Sequence, residues 1–553
     1  MTAMIVAPQP EAVEAGALVL KRGGNAVDAA IACAFMQGVV DPQMAGIGGF
    51  GSMQVYMPHR GVHEVLEFYA RAPLKASPQM WSDLLVGQSR DGFAFLLEGG
   101  ISEIGYLAVC TPGSIKGYAE ALTRYGTYDW ADVIAPAAVQ AKRGFMVRPH
   151  VHWYWAQDGV DTGEVRTIEK LRFSETGRAI YFRADGTVKL PGDIVTNIDL
   201  ARTLERIAAA GADSFYKGEI AEEIAADMAA NGGLISKDDL RRYELSTAQP
   251  LWGRYRGYDI ATSPPPASGI SMLQLLHILE HFDLGDMEHG SAEHIMLLAE
   301  AMKRMTIDKD LHLGDPAYVD VPVERLLSSD YCATLAAEIR AGARAEVQRL
   351  DDRSPRETTH ISVVDREGNA VAMTHTLGSP SGAITDGLGF MYNGTMSRFD
   401  PRPGRAGSLA PGKRRASSAA PTIVFKDGRP VIVMGAPGGS YIAPSMAQGL
   451  MNIIDFGMTM PEAVSAPRIV AVSNTIDVSN RIPRYVTDEI EARGYQVKRS
   501  WQSYAFAALH GIQIEDGVCR GGADPQRDGM AMAVPAHRGP RSRSGTRGVG
   551  AAS

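Results

Sequence analysis

The sequence predicts an α+β protein in which an antiparallel sheet is sandwiched by helices. Two observations carry that reading. Helical spacing of apolar residues dominates from residue 11 to residue 306, and hairpins dominate after Thr358. The sharpest hairpin signals are Asp427-Gly428-Arg429 between two apolar runs and Asp516-Gly517 after residues 512–515. Segregation of helix-rich and hairpin-rich stretches is the mark of the class.

The elements follow in order. Residues 11–22 are helical, with Val13, Leu18, Val19 and Leu20 apolar, and Gly23-Gly24 ends them. Asn25 fits an N-cap with Asp28 in the first turn, so residues 26–39 form a second, buried helix. Gly46-Ile47-Gly48-Gly49-Phe50-Gly51 has the bare spacing of a dinucleotide loop, but a helix precedes it and the strand 52–56 follows, the reverse of what that loop needs. It reads as a tight turn allowing close backbone approach. A strand at 62–69 leads to Glu67-Phe68-Tyr69-Ala70-Arg71. Thr111-Pro112-Gly113-Ser114 opens a helix ending near Tyr125. Further helices lie at 131–143, 199–210, 216–231, 268–282 and 291–306, the stiff Pro264-Pro265-Pro266 preceding the last two. His150-Val151-His152 reads as a strand with both imidazoles on one face, too few ligands for a metal site. Strands at 361–365, 370–376, 422–426 and 430–434 pair as hairpins, with helices near 443–456 and 460–465.

Composition excludes several roles. The chain has 553 residues and a formal charge of −8, which argues against nucleic acid or an anionic membrane as the main partner. Cys33, Cys110, Cys332 and Cys519 are too scattered for a disulfide or zinc framework, and no metal or cofactor is expected. The N-terminus lacks a basic region followed by a long apolar run, so a cytoplasmic location is the expectation. The sequon Asn393-Gly394-Thr395 is read as accidental. Residues 536–553, with four arginines among Gly, Ser and Ala, read as a disordered tail.

The chemistry centres on Glu357-Thr358-Thr359-His360, where a charged, proline-containing loop meets a β-branched strand. Were the chain cut before Thr358, its hydroxyl would sit beside its own free α-amine. Such an amine has a pKa of about 7.7–8.0 and is partly neutral near pH 7, a general base attached to a nucleophile. Taken alone, Thr-Thr is also an ordinary strand opening. Three later motifs shift the balance: Thr374-His375-Thr376, Lys413-Arg414-Arg415-Ala416-Ser417-Ser418, and Gly435-Ala436-Pro437-Gly438-Gly439-Ser440. A Gly-Gly step after a strand can aim consecutive N–H groups at an oxyanion.

In this order, with Gly23-Gly24-Asn25-Ala26-Val27-Asp28, Ala466-Pro467-Arg468 and Ala523-Asp524-Pro525, the motifs resemble the γ-glutamyltranspeptidase (glutathione hydrolase) family over nearly the whole chain. The resemblance implies an N-terminal-nucleophile hydrolase with an αββα sandwich, self-cleaved between Glu357 and Thr358 into a large subunit 1–357 and a small subunit 358–553 that stay together. It implies Thr358 as nucleophile, Thr376 orienting it, Gly438 and Gly439 as oxyanion hole, and Ser417 and Ser418 at the acyl group's carboxylate end. The other partners would be a small-molecule amide and water or an amine acceptor.

The departures bear on substrate. Where the family's carboxylate-clamping arginine follows Phe68, this sequence has Tyr69, with Arg71 two residues on. The family's ammonium-gripping aspartate falls at Arg398, and its asparagine two residues past Thr376 is Gly378. The loop 400–412 is short for a covering lid. A cationic Arg398 repels an ammonium, so the acyl group either carries a carboxylate paired to Arg398 or Arg71, as in oxamate- or glutaryl-type amides, or Arg398 points to solvent and γ-glutamyl compounds remain the substrate. An uncut, non-catalytic binding protein is the alternative of another class.

Overall fold

The computed structural model describes residues 1–92, 94–156, 164–349 and 358–535; Glu357 and the tail at 536–553 lie outside these. The strands of the two main sheets are β1 (Ala3–Ala7), β2 (Phe50–Met57), β3 (Val62–Phe68), β4 (Ser246–Ala248), β5 (Leu251–Tyr255), β6 (Tyr258–Thr262), β7 (Thr359–Val364), β8 (Ala370–Thr376), β9 (Thr422–Lys426), β10 (Arg429–Gly435), β11 (His510–Glu515), β12 (Val518–Ala523) and β13 (Met530–Val534). A seven-stranded sheet runs β13-β1-β7-β8-β2-β3-β4, and a six-stranded sheet runs β12-β11-β10-β9-β6-β5. Neighbours in both are antiparallel.

Two-residue periodicity explains how the sheets stack. Ile5, Ile361, Val363, Val371 and Met373 turn outward into a core shared with helices α1 (Pro10–Lys21), α2 (Ala26–Val40) and α3 (Ser114–Tyr125). Their neighbours Met4, Val6, Val364, Ala370 and Ala372 turn inward against Ile423, Phe425, Val433, Ile512 and Ile514 of the second sheet. Val424, Ile432 and Met434 face a third core with α4 (Gly269–Leu279), α5 (Ala292–His312) and α6 (Ile442–Ile454). The order of layers is therefore αββα. This is the sandwich that the family resemblance implies; residue patterns alone suggest one sheet, and a second is present because strands buried on both faces need a second apolar partner. The edge strand β13 and its neighbour β1 lie too far apart in sequence to show as a hairpin.

Asn25 caps α2 as expected: its Oδ1 accepts from the amides of Val27 and Asp28 at 2.9 and 3.1 Å, and Asp28 Oδ2 accepts from the Asn25 amide at 2.8 Å. The Ala26 amide at the same helix end donates to Asp365 Oδ2 at 3.0 Å, tying the far end of β7 to α2. The sequon is not a surface site. Asn393 is fully buried and donates to the carbonyls of Gly48 and Cys110 at 2.9 and 2.8 Å, pinning the glycine turn.

One element departs from expectation. His150 and His152 lie on a helix, Pro149–Ala156, not a strand. Two positions apart on a helix they face different ways: His150 meets Asp528 Oδ2 at 2.5 Å and His152 meets the Lys189 carbonyl at 3.0 Å. Among the described residues no three His, Cys, Asp or Glu side chains converge as a metal site. The four cysteines are free and buried. No helix among the described residues is long and apolar enough to cross a membrane.

Candidate active site

The register of the central hairpin places the nucleophile candidate. Thr359 pairs with His375, which carries Thr358 opposite Thr376 at the open ends of β7 and β8. Thr358 is buried, and its carbonyl accepts from Arg527 Nη1 at 2.5 Å while Arg527 Nη2 donates to Tyr154 Oη at 2.7 Å. Thr376 Oγ1 accepts from the Gly378 amide at 2.7 Å. The glycine turn runs alongside: a Cβ at Gly49 would lie 2.4 Å from the Thr376 carbonyl oxygen, and one at Gly51 2.4 Å from that of Thr374. The GxGxxG spacing thus serves backbone approach, not phosphate binding.

Histidines lock the strand ends from beneath. Thr359 Oγ1 accepts from Gln37 Nε2 at 2.9 Å, Gln37 Oε1 meets His375 Nε2 at 2.6 Å, and His375 Nδ1 meets Tyr118 Oη at 2.7 Å. His360 bridges Thr374 Oγ1 at 2.8 Å and Ser362 Oγ at 3.0 Å. Burial pushes His375 and His510 down to about 3, and His360 falls well below its usual value through burial and the two neighbouring histidines. They are neutral scaffolding groups, too weakly basic to serve as general bases.

The same shifts set an acid limit. Below an unfolded pKa of about 6.5 the unfolded chain binds protons that the folded state refuses. Stability present above that value is lost as pH falls from 6.5 towards 3, by on the order of 2 kcal/mol per histidine at pH 5. Urea midpoints at pH 7 and pH 5 should therefore fall steeply for the natural protein. They should fall less for His510→Asn, whose amide can still donate to the Ala508 carbonyl that His510 Nδ1 meets at 3.0 Å.

A small cavity joins the candidates. Thr358, Thr376, Arg415, Ser417, Ser418 and Ile442 line it. Ser417 is held there by its amide, which donates to the Pro266 carbonyl at 2.7 Å, and by its carbonyl, which accepts from Ser268 Oγ at 3.0 Å. Arg415 is fully buried, its guanidinium 5.3 Å from the centre of the Phe50 ring. Burial first, and the Arg398 charge second, push its pKa down to about 9. Gly438 and Gly439 precede Ile442 with φ of 148° and 57°, and a Cβ on Gly438 would lie 2.4 Å from that of Ala507. Among the described residues no backbone carbonyl takes either glycine N–H.

Three expected substrate contacts lie elsewhere. Arg71 is turned away: its guanidinium donates to the carbonyls of Glu244 and Gly412 at 3.1 and 3.4 Å, and its backbone pairs with Thr111. Tyr69 is fully buried in an apolar cluster with Phe50, Ala70 and Trp81, where burial pushes its pKa up. Arg398 does not point to solvent. It is buried, 3.4 Å from Glu164 and 3.4 Å from the Gly378 carbonyl, two residues past Thr376. Arg415 stands two residues before Ser417, yet its neighbours in sequence assign it no role. Glu164 carried no signal, since a lone acid between unremarkable segments looks like surface.

Four layers, with a threonine at the open end of a central strand facing a second threonine, define the N-terminal-nucleophile hydrolase class. The chain belongs to the gamma-glutamyltranspeptidase family, whose model matches residues 12–534. It is 37% identical to the acylase ACY 1 proenzyme of Pseudomonas sp. (strain SE83), over 96% of this chain and 93% of that protein. It is 34% identical to the glutathione hydrolase proenzyme of Bacillus subtilis (strain 168), over 96% and 91%. The structure is similar to the cephalosporin acylase of Bacillus halodurans, with a TM-score of 0.85 and 27% identity over 97% and 96% of the two chains. The protein is therefore a hydrolase of this family.

Proposed function

We propose that this protein is a proenzyme cut between Glu357 and Thr358, which then hydrolyses amides of small carboxylate-bearing acyl groups. The observation carrying the proposal is the shared cavity of Thr358, Thr376, Arg415, Ser417 and Ser418. In cleavage the Thr358 hydroxyl attacks the Glu357 carbonyl, the acyl group shifts from nitrogen to oxygen, and water hydrolyses the ester. A carboxylate is left at 357 and a free amine at 358. In turnover that amine takes the Thr358 hydroxyl proton as Oγ bonds to the substrate carbonyl carbon. The Gly438 and Gly439 amides receive the oxyanion, the C–N bond breaks, and the leaving amine takes the proton. Water, activated by the same amine, then releases the acid. Thr376 orients the Thr358 hydroxyl, and Arg527 fixes its residue through the carbonyl.

Arg415 shapes the acyl preference. A buried guanidinium on the cavity wall attracts a carboxylate and repels an ammonium, and Arg398 behind it adds to the same field. This favours a glutaryl-type acyl group without an amine, and the resemblance to proteins named acylases is in keeping with it. One observation favours γ-glutamyl compounds instead: Glu164 sets a carboxylate against Arg398, offering partial cancellation of its charge. Hydrolysis of glutaryl and γ-glutamyl p-nitroanilides by the processed protein separates the two. The proposal expects kcat/KM at least about tenfold higher for the glutaryl compound, the size of a like-charge penalty in a dry pocket. A clear preference for the γ-glutamyl anilide would assign the second reading.

A further inference from the structure

The glycine pair does not hold its own shape. Gly438 and Gly439 adopt left-handed backbone angles, and the turn after them, Gly439–Tyr441, is one short 3₁₀ turn. A residue with several accessible conformations aims an N–H reliably only when its neighbours are tethered. The two residues that follow are tethered, and to a distant part of the chain.

Strands Leu85–Gln88 and Phe95–Leu97 form a small hairpin, and residues at its tip reach the turn. Ser440 Oγ donates to Asp91 Oδ2 at 2.7 Å, while the other carboxylate oxygen accepts from Ser89 Oγ at 2.8 Å. Arg90 forks onto Asp477, with both N–H···O distances 2.7 Å, and Tyr441 Oη donates to the same Asp477 at 3.2 Å. Asp91 and Tyr441 are fully buried, and Arg90, Ser440 and Asp477 nearly so. Charge-assisted, two-pronged bonds of this kind fix direction as well as distance. The tip is itself braced. Arg349 donates from Nε to the Arg90 carbonyl at 3.1 Å and from Nη2 to the Val472 carbonyl at 2.7 Å.

We infer that Asp91 and Arg90 are positioning residues for the oxyanion hole, acting through Ser440 and Tyr441 to aim the Gly438 and Gly439 amides. The inference rests on the reading of those amides given above. The hole is shaped by residues N-terminal to the proposed cut, so the chain starting at Thr358 carries the nucleophile but not the clamp. Arg349, nine residues before Thr358 in the sequence, braces the clamp from the large-subunit side of the proposed cut.

The test compares Ser440→Ala, Asp91→Ala and the double variant, each as the full-length chain after processing. The readouts are kcat, KM and inhibition by a glutaryl-type alkylboronic acid. Its boron bonds to the nucleophile's oxygen, so that a tetrahedral B–OH occupies the hole. Each single variant should lower kcat about tenfold and weaken the boronic acid by a similar factor, with KM within about threefold, since misplaced donors harm the transition state more than the bound substrate. The double variant should be no worse than the worse single, because both remove one contact. Asp91→Asn, which keeps one accepting oxygen, should recover part of the loss. Unchanged kcat and inhibition in Ser440→Ala overturn the inference, as does an equal weakening of KM and boronic acid. Should Asp91→Ala fail to fold, Ser440→Ala decides alone, since it removes only a hydroxyl. If the natural enzyme binds the boronic acid no more tightly than substrate, the oxyanion reading fails instead.

Discussion

Thr358→Ala yields a single uncut chain with no measurable amide hydrolysis. Two separate steps lose the same oxygen. The hydroxyl that would attack the Glu357 carbonyl is gone, so no free amine forms at residue 358, and the nucleophile for substrate is gone with it. Removal of a nucleophile that acts together with its base costs roughly 10⁴-fold or more. The fold should survive, because β7 is held by Thr359, His360 and Asp365, whose partners do not involve the Thr358 hydroxyl. Thr358→Ser separates the two requirements from packing. It keeps the hydroxyl and loses a methyl, so it should be cut and retain part of its activity. A denaturing gel and an anilide assay check both variants.

Arg415→Gln has the second largest expected effect. Its kcat/KM on a glutaryl anilide should fall by about 10²–10³-fold, in line with loss of a charged hydrogen-bonding partner from a desolvated site. Most of the change should appear in KM, since the substrate carboxylate is bound alike in ground and transition states. A butyryl anilide, which carries no carboxylate, should change by less than about threefold. Arg415→Lys keeps the charge but loses the planar fork, so it should fall between the two. Equal losses on both anilides would mean that Arg415 shapes the cavity without reading the acyl charge.

Local signals in the sequence were physically sound wherever the cause was local. The Asn25-Asp28 cap, the Asp427-Gly428 hairpin and the glycine turn before β2 are decided by backbone preferences within a few residues, and each stands in the structure as read. His150 and His152 were misread because a short apolar run does not tell helix from strand, and neighbours in space decided the matter. The pairing of β1 with β13 and β7, partners hundreds of residues away, was hidden for a similar reason, whereas the αββα layering followed from the family resemblance. At the site, Thr358, Thr376, Ser417 and Ser418 share one cavity. Arg71 and Tyr69 do not reach it, since proximity in sequence to Phe68 says nothing about which way a side chain leaves the strand end. Nothing near Arg398 in sequence announces its partner Glu164, which only the fold brings near.

The central claim is that the working enzyme begins a new chain at Thr358. Intact-mass and N-terminal analysis of fully active, purified protein tests it directly. The account predicts two polypeptides, the smaller starting with Thr358-Thr359-His360. A continuous backbone through residues 357 and 358 in protein that turns over amides at its full rate would contradict it.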